Sequence, residues 1–175
     1  MRVLLQRVLG AQVEVNSKVT GRIEKGLLLY VGIGPGDGAA QADWLAAKVS
    51  TLRVFEDEDG KLNKSAAEVG GAILAVPNFT LMGDARKGRR PSFTDAAGPD
   101  HAQPLFERFV ERLRQANLRV ETGQFGKHMH ILAVADGPVN VVIDNLPAPA
   151  QPPDGPSGQA CPSEVSLGSG GDLTS

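Results

Sequence analysis

Two hydrophobic periods alternate along this chain. Val3 to Val8 and Ala11 to Val15 are rich in branched residues with Leu9-Gly10 between them, and Gln12-Val13-Glu14-Val15 alternates polar and apolar, so two half-buried strands are expected. Lys18 to Ile23 reads as a third. Gly26 to Ile33 (GLLLYVGI) is apolar almost throughout, the pattern of a strand covered on both faces. The period then changes. Ala42, Leu45, Ala46, Val49 and Leu52 recur at helical spacing behind Asp37, a residue able to cap a helix. Leu105, Phe106, Phe109, Val110 and Leu113 mark a second helix after Gly98-Pro99. Ala72 to Leu81, Arg119 to Thr122, His128 to Val134 and Val139 to Asp144 return to strand character. Strands at both ends with two helices between predict an α/β fold: a single domain with mixed or antiparallel sheets and two helices in layers.

From Pro147 onward, PAPAQPPDGPSGQACPSEVSLGSGGDLTS has no apolar period and is dominated by Pro, Gly and Ser. Such a segment buries too little surface to offset its ordering entropy. The expected organisation is a folded domain over 1–146 and a disordered tail over 147–175, with no internal repeat.

Charge and cysteine usage narrow the function. The net charge is -2, but three of the 20 acids (Asp154, Glu164, Asp172) and none of the 18 bases lie beyond Leu146, so the domain itself is near neutral with local clusters. The single cysteine, Cys161, falls in the tail, which excludes a disulfide framework, a Cys-based zinc site and a thiol nucleophile in the domain. Met1 to Val8 holds two arginines and no small-residue cleavage site, unlike a secretory signal. No apolar run approaches the ~18 residues that span a bilayer. A cytoplasmic protein without membrane contact is expected.

Four segments carry chemistry beyond what a plain fold requires. Asp84 to Phe93 (DARKGRRPSF) gathers Arg86, Lys87, Arg89 and Arg90 around Gly88. That suits phosphate oxygens, or forms a solvated charge run. Gly137-Pro138 lies between two strand-like runs and reads either as an ordinary trans turn or as a cis element with carbonyls aimed one way. Asn78, Phe79 and Thr80 end a buried strand, a place suited to the mouth of a pocket. Glu121 to Ile131 (ETGQFGKHMHI) flanks Phe125 with glycines, then alternates His128, Met129 and His130. Those two histidines form half a metal site at most, and no third ligand is evident. No GxSxG elbow is present. If the chain is a hydrolase, water is the expected nucleophile, with no metal and no cofactor.

A competing motif is Gly34-Pro35-Gly36-Asp37-Gly38-Ala39, which fits G-x-G-x-x-A between an apolar strand and a helix, with Glu56 about 20 residues on. Read literally it is a dinucleotide-binding loop. Against that reading, Pro35 removes a backbone donor, and two helices are too few for a full cofactor domain.

Taken in order, LLQRV, GLLLYVGIG, LRVFEDEDGKLN, DARKGRRPSF, ETGQFG and DGPVN resemble the D-aminoacyl-tRNA deacylase (D-tyrosyl-tRNA deacylase) family from Met1 to about Asp144. The resemblance implies hydrolysis of the ester of D-aminoacyl-tRNA and mischarged Gly-tRNA, a proofreading step in translation. It implies a homodimer with its active sites at the subunit interface and tRNA as partner. Gly137 and Pro138 would form the Gly-cisPro element that rejects L-aminoacyl groups, oriented by Arg7. Asn78, Phe79 and Thr80 would be catalytic, Phe125 and Met129 would line the substrate pocket, and Arg86, Lys87, Arg89 and Arg90 would bind tRNA. The family's Ser-Gln-Phe-Thr stands here as Pro77-Asn78-Phe79-Thr80. Ala135, Asn140 and Lys127 also depart from the usual residues. Pro77 and Asn78 put chiral strictness in question and, with Asn140, leave a catalytically inactive tRNA-binding dimer as the alternative.

Overall fold

The computed structural model describes residues 1–145, and the expected tail lies outside them. One long strand organises the domain. Strand β1 (Arg2–Val15) pairs antiparallel with β3 (Gly26–Gly32) along its first half and with β2 (Lys18–Ile23) along its second. Its other edge carries β8 (His130–Asp144) from end to end. Strand β3 continues into β6 (Ala72–Pro77) and β7 (Val120–Thr122) through parallel pairings. The mixed sheet and the two helices of the expected α/β domain are all present.

The two expected strands at the N-terminus are one. Leu9-Gly10 does not break the chain; it is absorbed as an irregularity of register against β8, between Val8 and Gly10. The same merging joins the two expected C-terminal strands into the single β8.

Helices α1 (Ala39–Thr51) and α2 (Pro99–Gln115) cover one face of the sheet. Val3, Leu5, Leu27, Leu29, Ile73 and Ala75 pack there against Leu45, Val49, Phe106 and Phe109. On the opposite face, Leu28, Leu74 and Val76 meet Val8, Val13 and Ile23 from the second half of β1 and from β2. Strand β3 is therefore buried on both sides, as its unbroken apolar run requires. The close approach behind the sheet explains Gly21: a Cβ there would lie 2.8 Å from the Thr122 carbonyl oxygen.

Asp37 does not cap α1. Gly38 is the cap residue, and the Asp37 carboxylate instead pairs with the buried Met1 ammonium and accepts the Gly34 N–H at 2.7 Å. This overturns the dinucleotide reading, because the protein's own anion occupies the loop donor that a pyrophosphate needs. Glu56 sits in β4 (Phe55–Glu56), which pairs only with β5 (Leu62–Lys64) in a small side hairpin rather than extending the parallel sheet.

The helices are clasped by Asp43, whose carboxylate accepts from Arg108 at 2.7 Å and from Arg112 at 2.9 Å. Hydrogen bonds from these two guanidinium groups hold its pKa well below the usual 3.8. The clasp is therefore complete above the unfolded value and is lost as pH falls through the lowered folded one. Asp43→Asn is expected to lower stability at pH 7 modestly, as exposed pairs do. Its deficit against the parent should shrink steadily below pH 4, as read by urea unfolding across that range.

Candidate active site

Strand β6 was expected to run to Leu81. It stops at Pro77, and Phe79–Met82 instead form a short 3-10 turn. Pro77 ends the strand, having no N–H to extend the ladder. Asn78 then hands its N–H to the Val31 carbonyl at 2.8 Å and caps the turn: its Oδ1 accepts the Thr80 N–H at 3.1 Å and the Thr80 hydroxyl. A strand end and a side-chain cap thus fix the three expected catalytic residues as one unit.

That unit is a ridge between two cavities. One, of ≈ 440 Å³, is mostly apolar and is lined by Val31, Ile33, Phe93, Ala97 and Phe125. The other, of ≈ 540 Å³, is lined by Tyr30, Thr80, Lys127, His128 and Met129. Pro77, Asn78, Phe79 and Gly126 border both. The expected pocket residues therefore divide, Phe125 facing one cavity and Met129 the other.

The ridge is open to solvent, with Phe79 60% exposed. Among the described residues, no acceptor takes the Phe79 N–H, whereas the Thr80 N–H is already engaged by Asn78. Of the backbone N–H groups of Phe79 and Thr80, only that of Phe79 is available. The Thr80 hydroxyl donates to an amide oxygen, which is no base, so it keeps its proton and its lone pairs remain able to accept.

The cationic loop reaches this ridge through Phe93, which the sequence reading did not single out. Its ring meets that of Phe79 edge to face, with centroids 5.3 Å apart. The loop is pinned at its base by paired backbone hydrogen bonds between Asp84 and Ser92, both 2.8 Å. Arg86 is not a free cation. Asp84 holds it through two 2.8 Å contacts, and this bonding pulls the Asp84 carboxyl down to about 2. Lys87, Arg89 and Arg90 are exposed, beside Gly88 at φ +72°.

Gly137–Pro138 is a cis peptide, and both residues are exposed. It lies inside β8 but borders neither cavity of its own chain. Arg7 lies against it, 95% buried: Nη2 is 3.2 Å from where a Gly137 Cβ would stand, and Nη1 donates to the Val54 carbonyl at 2.8 Å. Asp136 and Glu56, also absent from the expected site, face the same guanidinium. Their signal in the sequence was only the adjacency of Asp136 to Gly137. His128 precedes β8 and is exposed; the two histidine rings contact edge to face with centroids 5.1 Å apart. Among the described residues no metal-binding cluster of three ligands forms.

A free backbone donor and a hydrogen-bonded hydroxyl thus stand together at a strand end, between two cavities and beside a cationic loop. The family model described as D-Tyr-tRNA(Tyr) deacylase matches residues 4–144. A D-aminoacyl-tRNA deacylase of Thermotoga petrophila is 53% identical over 145 residues, covering 83% of this chain and 97% of that protein. The enzyme of the same name from Symbiobacterium thermophilum is also 53% identical, with 83% and 96% covered. The chain belongs to the D-Tyr-tRNA(Tyr) deacylase family and is a hydrolase acting on an ester bond. A solved structure titled c-Myc DNA Unwinding Element Binding Protein shares 32% identity at a TM-score of 0.79, covering 84% of this chain and all of that one. A probable eukaryotic D-amino acid tRNA deacylase shares the fold, at 19% identity and a TM-score of 0.72, with 81% of this chain and 97% of that one covered.

Proposed function

We propose that this chain clears D-aminoacyl and glycyl groups from tRNA as a homodimer in the cytoplasm, with Gly137–Pro138 of each subunit walling the pocket of the other. The observation that carries this reading is the Asn78–Phe79–Thr80 ridge. A free N–H and a proton-retaining hydroxyl stand side by side where two cavities meet. An ester joins two bodies, and a ridge with a cavity on each side suits such a link.

In this reading the Phe79 N–H receives the developing oxyanion, and Thr80 holds the attacking water through a lone pair. An aminoacyl ester is labile enough that register of carbonyl and water is the main requirement. A covalent Thr80 intermediate is disfavoured because its hydroxyl faces an amide oxygen rather than a base. The terminal ribose hydroxyl of the tRNA, which resemblance to the family offers as a helper, supplies the nearby polar group.

Two observations favour a second copy. The selector is exposed and away from its own pocket. Strand β8 also displays Leu132, Val134 and Val142, each more than half exposed, on a 15-residue strand that pairs only with β1 among the described strands. Apolar surface on an edge strand calls for cover. A backbone wall rejects L side chains as a class while admitting D residues and glycine. The ridge is complete despite Pro77 and Asn78, which disfavours a dimer that only binds.

Deacylation of matched D-Tyr-, L-Tyr- and Gly-tRNA tests the proposal. Release from D-Tyr- and Gly-tRNA with L-Tyr-tRNA spared is expected, whereas binding without release would establish the inactive alternative. Replacing Lys87, Arg89 and Arg90 together by Gln is expected to reduce the salt slope of tRNA binding by about 2, near 0.7 per lost cation on a single strand. Turnover at saturating substrate should be preserved.

A further inference from the structure

Strands β1 and β8 pair Gln6 with Asn140 and Val8 with Ala135. Between those pairs Arg7 stands alone on β1, while Asp136, Gly137, Pro138 and Val139 stand on β8. One residue thus faces four, and the excess backbone, which includes Gly137–Pro138, leaves the ladder as a bulge. A bulge of this size has few ladder hydrogen bonds to fix it. Its position depends on what its flanks touch.

What they touch is the Arg7 guanidinium. Nε lies 3.0 Å from Asp136 Oδ2 as an ion pair without hydrogen-bond alignment, and Nη2 lies 3.5 Å from Glu56 Oε1. Nη1 is bound to the Val54 carbonyl at 2.8 Å, and the whole group stands 5.9 Å from the centre of the Phe55 ring. Lys25 stands over the same ring, with Nζ 5.8 Å from its centre. A buried guanidinium is costly unless each face is answered. Here Val54 and Glu56 accept hydrogen bonds on one side, and Asp136 at the base of the bulge faces Nε by charge alone.

We infer that Asp136 and Glu56 are positioning residues for chiral selection: they lock Arg7, and through it fix the Gly137–Pro138 bulge to the β4–β5 hairpin. The inference rests on the proposed role of Gly137–Pro138 and adds to it a function for a hairpin that touches no cavity described above. Neither carboxylate contacts substrate. Both act by holding the guanidinium whose Nη2 abuts Gly137. Asp136 is nearer and less exposed than Glu56, 29% against 56%, and is given the larger share of the lock, although the hydrogen bond from the guanidinium goes to Glu56.

The test uses the full chain with Asp136→Asn, Asp136→Glu and Glu56→Gln, in two readouts. In single-turnover deacylation, Asp136→Asn is expected to slow D-Tyr-tRNA release about tenfold and to raise the L-to-D rate ratio about tenfold, a fraction of what misplacing a reacting group costs. Substrate affinity should stay unchanged. Glu56→Gln should follow with a smaller change, and Asp136→Glu should recover most of the loss. The second readout is the NMR signal of the Arg7 Nε–H, slow to exchange in the parent because the group is buried. It should shift and exchange faster in Asp136→Asn at a temperature where the fold is intact. An unchanged Arg7 signal overturns the lock whatever the activity. A shifted signal with parent-like rates and full L rejection overturns its role in selection. If the parent itself spares D-Tyr-tRNA, the proposed substrate fails and the Arg7 signal alone decides the lock.

Discussion

Gly137→Ala is expected to cut kcat/KM for D-Tyr-tRNA by about 10²-fold, the effect of moving a positioning group by about an ångström. The backbone there has φ +118°, a region closed to residues with a side chain, and an added Cβ would stand 2.9 Å from both the Val139 nitrogen and its Cγ2. Arg7 Nη2 at 3.2 Å closes the remaining side. The bulge must shift, and the shift falls on the element proposed to border the partner's substrate. The strain itself costs about 1–3 kcal/mol, so a lowered melting temperature should accompany the kinetic loss. A variant that kept the parent's rate, L rejection and melting temperature would show that neither the space nor the backbone angle matters at this position.

The second large effect is expected at Thr80. Thr80→Val keeps the shape of the side chain and the Asn78 cap on the backbone N–H, but removes the hydroxyl from a residue that lines the cavity. A loss of about 10²-fold in kcat is expected, typical of deleting one preorganised polar contact to the reacting atoms. Thr80→Ser should stay within a few-fold, because its hydroxyl can still donate to Asn78. Asn78→Ala removes the cap as well and should lower stability by about 1 kcal/mol in addition to activity. Were Thr80→Val as active as the parent, the water would have to be held by other groups.

The contrast between what could be read in advance and what could not follows from range. Periodicity reports burial of nearby residues, so α1, α2, β2, β3 and β7 fall where their apolar spacing puts them. It does not report where a ladder tolerates an irregularity. Leu9-Gly10 looked like a break and is a bulge in β1, and Gly137-Pro138, readable as a trans turn or a cis element between two strands, is a cis element in a bulge within one strand, β8. In both cases a partner strand on the far side carries the chain through. Asp37 shows a competition that local rules miss, since a carboxylate suited to capping finds a buried ammonium instead.

The site divides in the same way. Asn78, Phe79 and Thr80 are contiguous, so their unit could be named from sequence, but the hydrogen bond that engages the Thr80 N–H depends on a turn beginning where Pro77 ends the strand. Phe93 reaches Phe79 only through a loop closed by Asp84 and Ser92. Glu56 and Asp136 meet at Arg7 from positions 80 residues apart in the numbering, and no local pattern marks that meeting.

The central claim is that each pocket is walled by the other subunit, and mixing two defective variants tests it most directly. Gly137→Ala subunits keep an intact ridge, and Thr80→Val subunits keep an intact selector. After the two are unfolded and refolded together, random pairing makes roughly half the dimers mixed, each with one of its two sites whole, as two-fold symmetry dictates. D-Tyr-tRNA deacylation at roughly a quarter of the parent rate, absent from either variant refolded alone, is the expected result. A mixture no more active than its parts would contradict the account, placing selector and ridge in the same chain.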